Sequence, residues 1–366
     1  MVFHGRTPRF PRSRQAQGRT SRDRPSPFST KKVAACAAVL AFLSACGSTP
    51  RQSEPRNARG HFAAILSDDS LDEVATTEEA NLPEDVETIV ELSDEAKAAI
   101  DEIEKEILAE SDTIDAAQAE VGPRHKIPIE INRRVREWIY YFSIVDHERF
   151  QGFLNRGAYY RPVIESILAR NDIPTDLYYL AMIESGFMAH ARSRANAVGF
   201  WQFMRPTGRE YGLKIGDGID ERRDILRSTE AGARYLKWLK NRLGSWHLAI
   251  AAYNGGPGRV GGAIRRGGSK DFWELARKRV LPPETRQYLP KFLAASLIGK
   301  NPGKYGFQIQ AAGPLGGLFP AVETVFAGPG QPLSAIARAR RVSASTLKAL
   351  NPHLIVGRAP LARRPY

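Results

Sequence analysis

The segment Leu177-Tyr178-Tyr179-Leu180-Ala181-Met182-Ile183-Glu184-Ser185-Gly186 contains seven consecutive apolar residues that lead to one carboxylate. It follows Pro174-Thr175-Asp176, a pattern that starts helices, and it ends at Gly186, a residue that stops them. We therefore predict a mostly buried helix that presents Glu184 at its C-terminal end. A carboxylate is costly in apolar surroundings unless it is paired or protonated. We expect burial to raise the pKa of Glu184, so that it still holds a proton near neutral pH.

Three further motifs follow Glu184-Ser185-Gly186 along the chain. They are Gly199-Phe200-Trp201-Gln202-Phe203-Met204, Ala252-Tyr253-Asn254-Gly255-Gly256 and Glu284-Thr285-Arg286-Gln287-Tyr288. Their order and spacing resemble those of the lytic transglycosylases of the goose-lysozyme-like superfamily, across residues 124–310. The resemblance implies a mainly α (α+β) fold with a lysozyme-like catalytic domain, and the sparse strand signals of this region agree with it.

The resemblance also implies roles for the motif residues. Glu184 is expected to be the catalytic residue. The residues expected to bind substrate are Ser185, Gln202, Tyr253, Asn254 and Tyr288. For Ser185 the roles left open are a hydrogen bond to the sugar's acetamido group, support of the site's geometry, or an ordinary helix-terminal serine. Tyr288 is further expected to orient Glu184, since a buried tyrosine hydroxyl normally finds a hydrogen-bond partner.

Other aromatic residues have two interpretations, sugar stacking and core packing. For Trp201 both stay open, and the neighbouring Phe200 stands where many members of the family carry Leu or Met. Within residues 230–243 a helical stripe is formed by Ala233, Leu236, Leu239 and Leu243, with Tyr235 and Trp238 alongside. We interpret this stripe as core packing.

A second carboxylate is not obvious, although most glycosidases use two. The acids that follow the second motif lie in Gly216-Asp217-Gly218-Ile219-Asp220-Glu221-Arg222-Arg223-Asp224, where arginines stand among them. We interpret this segment as a structural turn in which Asp217 and Asp220 form exposed ion pairs with the arginines. Such pairs contribute about 0–1 kcal/mol to stability.

The function implied by the resemblance is lytic cleavage of peptidoglycan, which requires a single carboxylate. Glu184 would cleave the β-1,4 bond between N-acetylmuramic acid (MurNAc) and N-acetylglucosamine (GlcNAc), leaving a 1,6-anhydro-MurNAc end. One alternative is a goose-type lysozyme that hydrolyses the same bond with Asp217 or Asp220 as second acid. Another is a non-catalytic murein-binding lipoprotein. The chain has Glu184, Gln202 and Asn254 together, which argues against this alternative because a protein that only binds murein need not keep all three.

Neither a metal nor another cofactor is expected. The seven histidines include no His-Glu-x-x-His pair, and the chain contains no Gly-Lys-Ser/Thr phosphate loop.

The N-terminus has the pattern of a secretory signal. Lys31 and Lys32 precede an apolar stretch, residues 33–43, that is too short to span a bilayer as a mature helix. Leu43-Ser44-Ala45-Cys46 resembles the bacterial lipobox, in which cleavage leaves an acylated cysteine; a plain signal peptide with an incidental Cys46 is the alternative. We expect residues 1–45 to be the signal peptide of a lipoprotein.

The residues around Cys46 also indicate a location. Gly47 follows the cysteine, and in lipoproteins the absence of Asp there favours the outer membrane. We expect the protein on the periplasmic face of that membrane, anchored by lipid at Cys46. The other cysteine, Cys36, would be removed with the signal peptide, so no disulfide is expected.

The charge is divided unevenly along the chain. Residues 61–122 hold 20 of the 40 acidic side chains and only two lysines, and we interpret residues 46–123 as a solvated acidic linker. From residue 123 onward 39 Lys and Arg face 18 Asp and Glu, a net charge of +21. A basic surface suits a polyanion. Peptidoglycan glycan strands fit, whereas nucleic acid is not expected, because the chain has an export signal and no DNA-binding motif.

The C-terminal residues 320–357 resemble a LysM-like sugar-binding module, a small βααβ unit. Val322 to Phe326 has a strand-like pattern, and the apolar residues Leu333, Ile336 and Leu347 follow at helical spacing. The turn differs from the usual one, because Gly328-Pro329-Gly330-Gln331-Pro332 replaces it.

Overall fold

The computed structural model describes residues 126–361 and, before them, residues 82–83, 94, 97–98, 100–102 and 105. The predicted signal peptide, Cys46 and most of the acidic linker lie outside these residues. Helices dominate the described part, as the sequence predicts. None of the helices in that part combines the length and the apolar character needed to cross a membrane.

The helices are, in chain order, α1 (Arg133–Tyr140), α2 (His147–Arg170), α3 (Tyr178–Ser185), α4 (Arg205–Glu210), α5 (Ile225–Leu243), α6 (Trp246–Gly255), α7 (Pro257–Gly267), α8 (Phe272–Arg277), α9 (Pro283–Lys300), α10 (Leu333–Arg340) and α11 (Ala344–Leu350). One turn of π-helix occupies Tyr141–Val145, and short 3-10 helices occupy Thr175–Leu177, Glu221–Arg223 and Pro302–Tyr305. The strands β1 (Ile215–Gly216) and β2 (Ile219–Asp220) form one antiparallel hairpin.

Side-chain caps and glycines define several helix ends. The side chain of Asp224 accepts hydrogen bonds from the first turn of α5, and Ser245 does the same for α6. These caps satisfy backbone N–H groups that have no partner inside the helix. Gly244 ends α5 in the left-handed conformation, with φ 86°, which glycine adopts at little cost.

The helix that carries Glu184 lies inside the core. α3 packs against α2 on one side and α9 on the other, and its residues Tyr178 to Ile183 are all buried. It begins after the turn Thr175–Leu177 and ends at Gly186, which has φ 53°. The predicted start and stop signals are therefore confirmed, and the carboxylate leaves the core where the helix ends.

Parts of the acidic linker contact this helical domain. Ile100 is buried in its core, and Asp101 pairs with Arg136 at 3.1 Å. Further upstream the carbonyl of Pro83 accepts a hydrogen bond from Lys291 Nζ at 2.8 Å. These linker residues therefore contact the helical domain, and Ile100 buries its apolar side chain there.

The turn between β1 and β2 is Asp217-Gly218, and both residues have positive φ, 54° and 81°. An Asp-Gly pair favours this tight hairpin turn. The C-terminal segment extends the hairpin: Ile219 bridges Leu354, and the amide of Ile355 donates to the carbonyl of Gly218 at 3.0 Å. The segment therefore docks on the helical domain through backbone pairing.

The C-terminal segment has the predicted pair of helices, α10 and α11. Leu333, Ile336 and Leu354 form a small apolar cluster together with Ile219 of the hairpin. The prediction of a strand at Val322 to Phe326 was wrong, because these residues run without strand pairing and Phe326 is 83% exposed. An alternating pattern becomes a strand only where another strand satisfies its backbone groups.

Candidate active site

Glu184 lies at the edge between the core and solvent. Its neighbours in α3 are buried, but its own side chain keeps partial exposure. Burial raises the pKa of Glu184 to about 7, and the charge of Glu284 adds to this; the hydrogen bond from Tyr288 and the charge of Lys291 act in the opposite direction. A carboxyl with this pKa exchanges its proton near neutral pH, which suits a general acid–base.

Tyr288 contacts the Glu184 carboxylate directly. It is buried in α9, and its hydroxyl donates a hydrogen bond to Oε1 of Glu184. Burial raises the pKa of Tyr288 well above its usual value, so the hydroxyl remains a donor. This contact leaves Oε2 of Glu184 for other partners and restricts the rotation of the carboxylate.

Tyr253 lies near the same carboxylate. Burial raises the pKa of Tyr253, and the charge of Glu184 is the next largest cause. Its hydroxyl donates to the carbonyl of Trp201 at 2.7 Å. Tyr253 therefore links α6 to the loop of the second motif.

The loop from Gly199 to Phe203 packs against the end of α3, next to Glu184. Ser185 is completely buried, and its hydroxyl donates to the carbonyls of Phe200, at 2.8 Å, and Ala181, at 3.1 Å. Trp201 is also completely buried, with Nε1 donating to Thr229 Oγ1 at 2.9 Å. A ring without exposed surface has no face for a sugar, so Trp201 is a core residue.

Gln202 occupies a strained position in this loop. Its φ is 45°, in the left-handed region that non-glycine residues rarely adopt. Its Nε2 donates to the carbonyls of Gly199, at 2.9 Å, and Ala191, at 3.1 Å. These bonds hold the side chain, and strain of this kind is common where a site positions a group for binding.

Asn254 belongs to a polar network with Glu284 and Thr285. Its Nδ2 donates to Oε1 of Glu284 at 2.6 Å, and its Oδ1 accepts from Thr285 Oγ1 at 2.9 Å. Glu284 is exposed, yet its charge acts on Glu184. Sequence reasoning missed this second carboxylate, although it begins the fourth motif.

Lys291 is the other residue that sequence reasoning missed. It lies on α9, close to one turn beyond Tyr288, and its positive charge lowers the pKa of Glu184. Its Nζ lies 4.5 Å from the centre of the Trp138 ring. The spacing of Tyr288 and Lys291 on one helix was the available signal.

Asp220 and Asp217 differ sharply in their surroundings. Asp220 is buried, and Arg222 holds both its oxygens, with Nε to Oδ1 at 2.8 Å and Nη2 to Oδ2 at 2.7 Å. Asp217 is exposed in the hairpin turn. The expectation of exposed ion pairs was therefore wrong for Asp220, because the C-terminal segment and the second-motif loop cover this pair.

Arg222 connects that ion pair to the second-motif loop. Its Nη1 donates to the carbonyl of Phe203, at the end of the loop, at 3.0 Å, and to that of Asn196, three residues before the loop, at 3.1 Å. A Cβ atom added at Gly199 would lie only 1.9 Å from the backbone carbonyl oxygen of Arg222. Only glycine fits there, so the loop packs tightly on the Asp220–Arg222 pair.

The stripe on α5 is core packing only in part. Ala233, Leu236 and Leu239 have no exposed surface, as predicted. Trp238 is 41% exposed and Tyr235 is half-buried. The interpretation as core was therefore wrong for Trp238, which lies on the solvent side of the helix.

The described residues contain no group of three or more His, Cys, Asp or Glu side chains that could hold a metal ion.

Three of the four motifs lie within a segment that matches a family model. Residues 161–276 match the model of the Transglycosylase SLT domain. Over 198 residues the chain is 39% identical to membrane-bound lytic murein transglycosylase D of Escherichia coli (strain K12), which covers 52% of this chain. It is 29% identical over 151 residues, or 37% of this chain, to membrane-bound lytic murein transglycosylase F of Cellvibrio japonicus. The matched regions span 42% and 29% of the lengths of these two relatives.

Among solved structures, the chain is similar to the 70 kDa soluble lytic transglycosylase of Escherichia coli, with a TM-score of 0.36 and 20% identity. The match covers 44% of this chain and 29% of that one.

Proposed function

We propose that this chain, which belongs to the lytic transglycosylase family through the SLT domain of residues 161–276, cleaves peptidoglycan without water. The bond is the β-1,4 link between MurNAc and GlcNAc, and the product is a 1,6-anhydro-MurNAc end. The observation that carries the proposal is the Glu184 carboxyl, half-buried against the Tyr288 hydroxyl with a pKa raised to about 7.

The reaction uses Glu184 twice. In the first step its carboxyl gives a proton to the glycosidic oxygen, and the bond from that oxygen to C1 of MurNAc breaks. The acetamido carbonyl of the same MurNAc supports the positive charge at C1. In the second step the Glu184 carboxylate takes the proton of the C6 hydroxyl while O6 bonds to C1, which restores the carboxyl. The attacking hydroxyl belongs to the same sugar, so its position costs little entropy.

The neighbouring residues have supporting roles in this proposal. Tyr288 orients the carboxylate, and Ser185 holds the second-motif loop against α3, which is the geometric role among its alternatives. Gln202, Tyr253 and Asn254 would contact the sugar from the loop and from the end of α6. No cofactor takes part.

Hydrolysis of the same bond is the competing function. It needs a second acid to activate water. Asp220 is unsuited, since Arg222 holds both its oxygens, and Asp217 is exposed in the hairpin turn. Glu284 is the carboxylate that acts electrostatically on Glu184, and it is the candidate base for hydrolysis.

The product separates these functions. Purified protein is incubated with sacculi, and the released muropeptides are analysed by mass spectrometry. We expect 1,6-anhydro ends. Reducing ends would favour the hydrolase, and the absence of any cleavage would favour a murein-binding lipoprotein.

A pH profile tests the state of Glu184. Only the protonated carboxyl donates, so kcat/KM is expected to fall as pH rises through about 7. In Tyr288→Phe the hydrogen bond that lowers this pKa is lost, and the fall is expected to move to higher pH. The measurement is kcat/KM against pH for both proteins. Unchanged profiles would mean that Glu184 is not the titrating group.

The protein is further proposed to be a lipoprotein of the outer membrane. Support comes from the lipobox-like Leu43-Ser44-Ala45-Cys46, from Gly47, and from the names of the two relatives, which describe membrane-bound enzymes. Residues 1–45 would be the signal peptide and residues 46–123 the linker to the catalytic domain at 124–310.

Cys46→Ala tests this anchor. Without the acylated cysteine the protein is expected to leave the membrane fraction, because acyl chains rather than a spanning helix would hold it there. Membranes are washed with salt, sedimented and probed for the protein, with Cys36→Ala as the matched control. Co-sedimentation of Cys46→Ala at the wild-type level would contradict the lipoprotein proposal.

The C-terminal residues 320–357 are proposed to be a LysM-like wall-binding module. The support is the pair of helices α10 and α11 over a small apolar cluster. Its backbone pairing with the hairpin would keep bound glycan close to the catalytic domain.

A further inference from the structure

Three partly exposed aromatic rings lie together outside the catalytic motifs. Tyr211 follows α4, and Tyr235 and Trp238 lie one turn apart on α5. The ring centres of Tyr211 and Tyr235 are 4.9 Å apart, and those of Tyr235 and Trp238 are 6.2 Å apart with an angle of 21° between the planes. We call these three residues the aromatic strip.

The aromatic strip continues to the catalytic carboxylate. The ring centre of Tyr235 lies 5.4 Å from that of Tyr253. Burial is the main cause of the raised pKa of Tyr253, and the nearby groups Glu184 and Tyr235 also contribute to it, so Tyr253 neighbours both. The strip therefore extends the site along the surface of α5, away from the bond that is cleaved.

Core packing does not account for the outer end of the strip. Trp238 is 41% exposed, whereas Leu236 and Leu239 on the same helix have no exposed surface. The guanidinium of Arg242 lies 5.3 Å from the centre of the Trp238 ring. A partly exposed ring with a cation over it offers apolar surface and a positive charge to a ligand.

We propose that the aromatic strip binds further saccharide units of the glycan strand, beyond those at the scissile bond. A pyranose ring has apolar C–H faces that pack on aromatic rings, and its hydroxyls stay in solvent at an open surface. The lactyl group of MurNAc carries a stem peptide with carboxylates, and Arg242 is placed to pair with one of these. The inference rests on the proposed function, since it assigns more of the same substrate to the surface next to Glu184.

The expected consequence is a preference for long strands. A short saccharide fills only the positions around Glu184, while a longer strand also reaches Tyr235 and Trp238. The energy gained on the strip holds the strand near the catalytic residue, so it lowers KM for long strands.

The test compares Trp238→Ala with wild type on two substrates, long glycan strands and a murein tetrasaccharide. We expect the ratio of kcat/KM for long strands to that for the tetrasaccharide to fall about three- to tenfold, mainly through KM. Trp238→Phe, which keeps a ring, is expected to restore most of the ratio. Lys237→Ala is the matched control, because Lys237 is exposed on the same helix but its Nζ binds the carbonyl of Asn171.

Arg242→Glu tests the charged part of the strip. It is expected to weaken cleavage of strands that carry stem peptides more than cleavage of strands freed of peptides by an amidase. Thermal unfolding of each variant checks that the fold is kept. We expect it to be kept, because the side chains of Trp238 and Arg242 are both exposed.

The outcomes separate the two proposals. If wild type releases anhydro ends and Trp238→Ala keeps the wild-type ratio, the strip does not bind glycan and the proposed function stands. If wild type releases no anhydro ends, the proposed function is itself wrong. An equal loss in Lys237→Ala would overturn the inference, because a general effect on α5 would then explain the result.

Discussion

Replacement of Glu184 by glutamine is expected to lower the release of anhydro-muropeptides from sacculi by at least about 10²–10⁴-fold. The change is nearly isosteric, but an amide has no proton to give to the glycosidic oxygen and does not accept one from the C6 hydroxyl. Both steps of the proposed reaction lose their acid or base. The measurement is the initial rate of release from purified sacculi at pH 7.

The fold and the wall binding of Glu184→Gln are expected to be retained. The amide oxygen still accepts the hydrogen bond of Tyr288, and the substitution removes a half-buried group that can carry charge. Glu210→Gln serves as the control, since Glu210 is an exposed carboxylate at the end of α4. Cleavage by Glu184→Gln at close to the wild-type rate would remove this residue from the mechanism.

Asp220→Asn is expected to lower the free energy of unfolding by about 3–5 kcal/mol, because one partner of a buried ion pair is removed and the other stays buried. Arg222 would lose its charge partner while it still contacts the carbonyls of Asn196 and Phe203. Asp217→Asn is the matched control, and its effect is expected to stay within about 0.5 kcal/mol, as for most surface changes. Urea unfolding of the two variants and wild type gives the comparison.

The same two variants, Asp220→Asn and Asp217→Asn, also test whether a second acid takes part in the reaction. If Asp220→Asn remains folded at low temperature, it is expected to keep cleavage in proportion to its folded fraction and to produce anhydro ends. Equal stability of the two variants would contradict the buried ion pair. If folded Asp220→Asn lost activity as completely as Glu184→Gln and wild type gave reducing ends, the enzyme would be a hydrolase.

The helix that carries Glu184 was predictable from local sequence. Its start after Pro174-Thr175-Asp176 and its stop at Gly186 depend on capping and on glycine's conformational freedom, which act within a few residues. The apolar run before Glu184 also indicated burial, and with it the direction of the pKa shift. The family motifs named residues from three distant segments, and the structure brings Glu184, Tyr253 and Tyr288 together.

Burial of side chains in loops and on helix surfaces was not predictable in the same way. Asp220 and Asp217 stand three residues apart in a segment that looks uniformly polar, yet the C-terminal segment and the Gly199 loop cover only Asp220. Trp238 belongs by spacing to an apolar stripe, but it lies at the edge of that stripe and faces solvent. Which neighbour covers a residue depends on segments that lie far away in the chain.

Local and long-range interactions therefore determine different features of this protein. Helix ends and the acid at the end of α3 follow from interactions between near neighbours, which a sequence displays directly, whereas the motif residues follow from the resemblance to the family. The environment of Glu184 follows from packing: α9 supplies Tyr288 and Lys291, and Asn254 of α6 holds Glu284. A pKa depends on desolvation and on charges within a few ångströms, and only the tertiary structure decides which charges those are.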